Sequence, residues 1–143
     1  MAIVFGFLWL TVPVTLHRVR DGGSGDACLT LANQPPADPV SALPLLEHCR
    51  SVVPDDAVLL ADLGTAYETA GRGDAAERAY RQAVTLDPDD GPTHLKLATR
   101  LYARGAVADA RAQAEHARRL LPNNPAVRQL LAALDRPQAE VAR

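Results

Sequence analysis

The chain repeats itself at an interval of 34 residues: positions 57–90 align without a gap on 91–124. Identities fall at Leu63/Leu97, Thr65/Thr99, Gly71/Gly105, Ala76/Ala110, Ala83/Ala117, Leu86/Leu120 and Pro88/Pro122, with conservative pairs at Gly64/Ala98 and Tyr67/Leu101. A period of this length restricts the fold to stacked copies of one supersecondary unit. A single such unit cannot bury its own apolar face, so neighbouring copies must share a core.

The spacing within one copy reads as two helices. Leu60, Leu63 and Tyr67 lie at i, i+3 and i+7, one stripe of a first helix. Gly71 follows where a helix C-terminus favours a residue tolerant of φ > 0. Asp74 is the expected N-cap of the next helix, and Glu77 three residues on completes a capping-box-like pair. Ala76, Ala79, Tyr80, Ala83 and Val84 form the second apolar face, and Leu86-Asp87-Pro88 ends it. The second copy repeats this with Leu97, Leu101, Gly105, Ala110, Ala114, Ala117 and Leu120-Leu121-Pro122. Small residues at 64, 76 and 83, and again at 98, 110 and 117, allow close approach of helix backbones.

This pattern resembles the tetratricopeptide repeat family, in which Leu, Leu-Gly, Tyr, Ala, aromatic, Ala and Pro recur within 34 residues. The first copy supplies Leu60, Leu63-Gly64, Tyr67, Ala76, Tyr80, Ala83 and Pro88. The second supplies His94, Leu97-Ala98, Leu101, Ala110, Ala114, Ala117 and Pro122, departing from the pattern at His94 and Ala114. One period upstream, Ala42, Leu46, Cys49 and Pro54 keep the phase, so 39–52 reads as the second helix of a degenerate repeat whose short first helix covers about 26–33. One period downstream, Pro125–Leu134 reads as a capping helix with Val127, Leu130, Leu131 and Leu134 facing back. The expected fold is all-α: a superhelix of antiparallel helix pairs over 27–135. It comprises a degenerate repeat (27–56), full repeats (57–90 and 91–124) and a capping helix (125–135), with a tail at 136–143. Two full repeats are close to the minimum for an array that stands alone.

Met1–Leu16 contains no charged side chain. As a helix it spans about 24 Å, short of the roughly 30 Å of a hydrocarbon core unless His17 and Arg18 snorkel and the segment extends to residue 19. An uncleaved single-pass anchor over 1–19, followed by a flexible linker over 20–26, is the favoured reading. A cleaved signal peptide and a partner-packed helix are the alternatives; the segment lacks a basic start and a clean cleavage site. Arg18 and Arg20 argue for a cytoplasmic array.

Cys28 and Cys49 flank the front hairpin. Bridged, they would close a loop worth about 3 kcal/mol in the chain-entropy description and would require an oxidising compartment. Unbridged, Cys49 is a small buried residue at a position the family gives to Ala. The hairpin spacing tips the expectation toward the extracytoplasmic side, a periplasm in a Gram-negative source.

The composition excludes several function classes. Net charge is −2, and only 2 Cys are present, so neither a nucleic-acid signature nor a four-Cys zinc site is expected. The charge is uneven: residues 57–90 carry net −4, whereas 91–143 carry net +5. The four His are spread, with His48 and His116 at the same repeat position two repeats apart, and His94 reads as a packed structural residue. No catalytic triad, metal-ligand spacing or phosphate loop is recognisable, so no enzyme activity, metal or cofactor is expected.

The resemblance implies a concave groove lined by first helices that binds an extended peptide or partner helix. By position, its lining is Val58, Ala61, Asp62, Thr65, Glu68 and Thr69 from one copy, and Leu95, Lys96, Thr99, Tyr102 and Ala103 from the next. Tyr102 is the aromatic anchor candidate. The basic clamp that some family members use for a C-terminal carboxylate is reduced here to Lys96. The expected role is a membrane-tethered interaction module, a scaffold, assembly factor or accessory subunit of a larger membrane complex. An exported, soluble peptide-binding protein is the alternative.

Overall fold

In the computed structural model, which describes Cys28 and residues 38–136, six helices follow one another. They are α1 (Pro39–Val52), α2 (Ala57–Thr69), α3 (Gly73–Leu86), α4 (Gly91–Ala103), α5 (Val107–Leu120) and α6 (Pro125–Leu134). No strand occurs among the described residues. The segment 1–19, the linker 20–26, the front helix expected over 26–33 apart from Cys28, and the tail after Arg136 lie outside the described residues. No described helix is long and apolar enough to cross a membrane.

Each helix packs on its sequence neighbours, and α4 also touches α6. This is the quasi-one-dimensional stacking of a repeat array. The local chemistry that starts and stops the helices is visible at most ends. Asp38, Asp56, Asp90 and Asn124 cap α1, α2, α4 and α6 through side-chain acceptors to Val40, Leu59, Thr93 and Ala126 amides. Gly71 and Gly105 end α2 and α4 with φ of 72° and 84°, in the left-handed region where a Cβ is strained.

Asp74 departs from expectation. Helix α3 starts two residues earlier than an Asp74 cap implies, at Gly73, with Arg72 as an N-cap that offers no side-chain bond. Asp74 therefore sits inside the first turn and complements the helix dipole there. Glu77 closes no capping box. It is buried, its carboxylate bonded to Arg81 and 3.1 Å from Arg104 Nε. The contact with Arg104 is a charge contact, not an aligned hydrogen bond.

The core runs through the stack as one cluster: Leu46 and Cys49 of α1, Leu59, Leu63 and Tyr67 of α2, Tyr80 of α3, Leu97 and Leu101 of α4, and Leu130 and Leu134 of α6. Small residues set the interhelix distance. An added Cβ at Gly64 would meet the Tyr80 ring at 2.3 Å, so glycine and tyrosine interlock. The second copy has Ala98 and Ala114 at these positions, both fully buried. Where the ring is lost, a methyl fits; the departures at 98 and 114 compensate each other in volume.

At the front, the Cys28 and Cys49 sulfurs are joined at 2.06 Å, and both residues are buried in the main core. The bridge ties Cys28 to α1.

Candidate interaction groove

First helices of consecutive repeats present the same face because 34 residues return the chain to the same point of the superhelix. Helices α2 and α4 thus set the eleven candidate positions side by side, and their surroundings differ. Val58 and Tyr102 are large apolar side chains left 50% and 39% exposed. Glu68, Thr69, Thr99 and Ala103 are also exposed, whereas Asp62, Thr65, Leu95 and Lys96 are half-buried. Ala61 is a correction to the lining: it is enclosed with Leu60 and Ala83 in a small apolar cluster and offers the groove almost no surface.

A polar relay crosses from one repeat to the next at the centre of this strip. Lys96 Nζ of α4 donates to Thr65 Oγ1 of α2 at 3.0 Å. The Tyr80 hydroxyl, reaching through from α3, donates to Glu68 Oε2 at 3.1 Å and lies 3.4 Å from Thr65 Oγ1. Burial pushes the Tyr80 phenol up, and the adjacent Glu68 carboxylate adds to the effect. Asp62 stands beside this relay with Oδ2 buried and without a hydrogen-bond partner. Burial raises the Asp62 carboxyl, with the Lys96 cation pulling the other way and Asp56 adding to the rise. A carboxylate oxygen withdrawn from water with no donor is costly.

The contribution of Tyr80 was not legible from the repeat pattern, which assigns its ring to the core. The ring is buried as expected; its hydroxyl, buried with it, reaches Glu68 of the groove-side strip from beneath. A Tyr where Phe would pack equally well is the one sequence signal for this.

His94 and His116 fall outside the groove strip. His94 is buried, its Nδ1 2.7 Å from Gln113 Oε1 and its Nε2 3.0 Å from the Pro88 carbonyl. His116 also reaches the Pro88 carbonyl, at 3.2 Å, and its ring stacks on His94 with centroids 4.2 Å apart. These two rings from α4 and α5 clamp the turn that leads out of α3. Their 22-residue separation hid the pairing, since sequence reasoning compared His116 with His48. Among the described residues, no three potential ligands converge as a metal site.

Residues 68–134 match the family model of the tetratricopeptide repeat. The chain carries a tetratricopeptide-repeat array. A mouse protein named Protein O-mannosyl-transferase TMTC1 is 30% identical over 99 residues, 66% of this chain. The chain spans only 10% of that curated relative. Among solved structures, the tetratricopeptide-repeat domain of Arabidopsis OM64 superposes with a TM-score of 0.68 at 16% identity, covering 78% of this chain and 97% of that one. The second such domain of human RPAP3, solved in complex with the HSP70 peptide SGPTIEEVD, superposes with a TM-score of 0.65 at 18% identity, over 80% and 94% of the respective chains. These likenesses place this array within the tetratricopeptide-repeat fold.

Proposed function

We propose that the array is a protein–protein interaction module that holds an extended segment of a partner against α2 and α4. The observation that carries this is the strip itself: the half-buried Asp62 and the Lys96–Thr65 bridge, with the exposed apolar groups Val58 and Tyr102 on the same two helices. Apolar anchors flanking a polar centre that can both donate and accept are the usual anatomy of a peptide groove. The human RPAP3 domain of the same fold was solved with a bound peptide, which supports the reading. The reading adds that the module is held at a membrane by residues 1–19 and serves as an accessory subunit or assembly factor of a membrane complex. The uncharged stretch Met1–Leu16 supports the tether. The joined Cys28–Cys49 pair supports an extracytoplasmic array.

Affinity purification of the full chain from native membranes in mild detergent, with quantitative mass spectrometry, tests this. The expected result is a stoichiometric integral-membrane partner whose recovery falls at least tenfold for Asp62→Ala/Tyr102→Ala. Recovery of the chain alone, in the soluble fraction and lacking its first twenty or so residues, would overturn the tether. Undiminished recovery of the partner by the double variant would overturn the groove.

A further inference from the structure

The turn between α2 and α3 carries a second feature, away from the groove. A cleft of about 430 Å³ opens there, lined by Gly71, Arg72, Gly73, Asp74, Arg78 and Arg100, with Ala75 completing the wall. Three guanidinium groups and one carboxylate thus meet at the N-terminus of a 14-residue helix, the positive end of its dipole. Cations gathered at that end repel both the dipole and one another. Arg72 is partly offset by Glu47, 3.2 Å away, and by the Tyr67 ring beneath it. Among the described residues, neither Arg78 nor Arg100 pairs with a carboxylate. Arg100 Nε is buried with no hydrogen-bond partner. Arg72 gives α3 no side-chain cap, and the Gly73 and Asp74 amides have no acceptor among the described residues.

Two observations show that this cluster is built and not demanded by the fold. The Arg100 guanidinium, arriving from α4, lies over Gly73 so closely that an added Cβ would sit 2.3 Å from its Nη2. Glycine at 73 makes room for it. The second copy then serves as an internal control. Its equivalent turn holds Ala106, Val107, Ala112 and Leu134 where the first holds Arg72, Gly73, Arg78 and Arg100. The same turn, again closed by a left-handed glycine, forms with none of the three arginines and without the glycine beneath Arg100.

We propose that this cleft binds a small phosphate-bearing ligand. Three guanidiniums against Asp74 and the Glu47 paired with Arg72 leave a formal excess of one positive charge, to which the helix N-terminus adds for an incoming anion. The planar donor fork of Arg suits phosphate oxygens, and free amides at a helix N-terminus add donors that carry no side-chain cost.

Amide chemical shifts of the isotope-labelled full chain in micelles, titrated with inorganic phosphate against sodium chloride at matched ionic strength, test this. The expected result is saturable movement of the Gly73 and Asp74 amides, with phosphate binding at least tenfold tighter than acetate. Arg78→Ala/Arg100→Leu, which installs the second copy's residues, should weaken phosphate at least tenfold. Arg118→Ala/Arg128→Ala, removing the same charge elsewhere, should leave it unchanged. Gly73→Ala keeps every charge and displaces only Arg100, and it too should weaken phosphate. Should the double variant fail to fold, Gly73→Ala and the exposed Arg78→Ala decide the question. Absence of saturation, equal affinity for acetate, or phosphate binding unchanged in Gly73→Ala would overturn the proposal.

Discussion

Asp62 shows how a single residue can sit at odds with stability. Its carboxyl is raised in the fold, chiefly by burial, so the native state favours the protonated form more than the unfolded chain does. A carboxyl raised on folding costs nothing below its unfolded value and becomes destabilising as pH climbs through and past its folded value. Asp62→Asn should therefore raise the denaturation midpoint at pH 7 and leave it unchanged near pH 3, as paired urea titrations would show. A lower midpoint at pH 7 would mean that the carboxylate is satisfied in solution after all. Glu77 is the opposite case. It is 4% exposed and holds Arg81 of its own helix together with Arg104 at the end of α4. Both arginines are nearly half exposed and can return to water, so Glu77→Ala should cost about 1–2 kcal/mol, below the full penalty of stranding a buried charge. Chemical denaturation reads this directly; a loss under half a kcal/mol would demote the pair to surface decoration.

At the scale of elements, the helices were legible and their contacts were not. Apolar spacing and the glycines at 71 and 105 report local backbone preference, which a one-dimensional reading captures; Pro39–Val52 and Pro125–Leu134 form where the repeat phase puts them. The start of α3 differs because Asp74 followed by Glu77 imitates a capping box, while Glu77 instead bonds Arg81 one turn along its helix and contacts Arg104 across the repeat boundary. The His94–His116 stack and the meeting of Arg78 with Arg100 join residues 22 apart in sequence, on different helices, and no periodicity announces them. The candidate groove rests on analogy with the first-helix face, from which neither the Tyr80–Glu68 bond nor the burial of Ala61 can be read. Tyr80→Phe isolates that contribution. The ring that locks Gly64 remains and only the bonds to Glu68 and Thr65 are lost, so stability should fall by about 1 kcal/mol. A fall of 3 kcal/mol or more would show that ring packing had been disturbed too.

At the scale of the whole molecule, stability is mainly a chain of neighbour contacts: α1 to α6 pack in sequence, and contacts that skip a helix are few, such as α4 with α6 and the Lys96–Thr65 bond between α4 and α2. Each end has its own fastening. The Cys28–Cys49 bridge closes the front with a sequence separation of 21, worth about 3 kcal/mol as loop entropy. Leu130 and Leu134 of α6 close the back against the shared core. In a quasi-one-dimensional array, damage at one end spreads only as far as the interface energies carry it. Reduction of the disulfide should therefore speed amide hydrogen exchange in α1 well before α5 and α6, and Leu134→Ala should do the reverse. The middle interface, where Gly64 interlocks with Tyr80 and Glu77 bridges to Arg104, should remain the slowest to exchange in both. Uniform acceleration of all six helices by either change would show that two full repeats with their end pieces fold as one indivisible unit. Polarised exchange would leave the groove and the arginine cleft on the most persistent part of the array, where a binding surface loses least affinity to local opening.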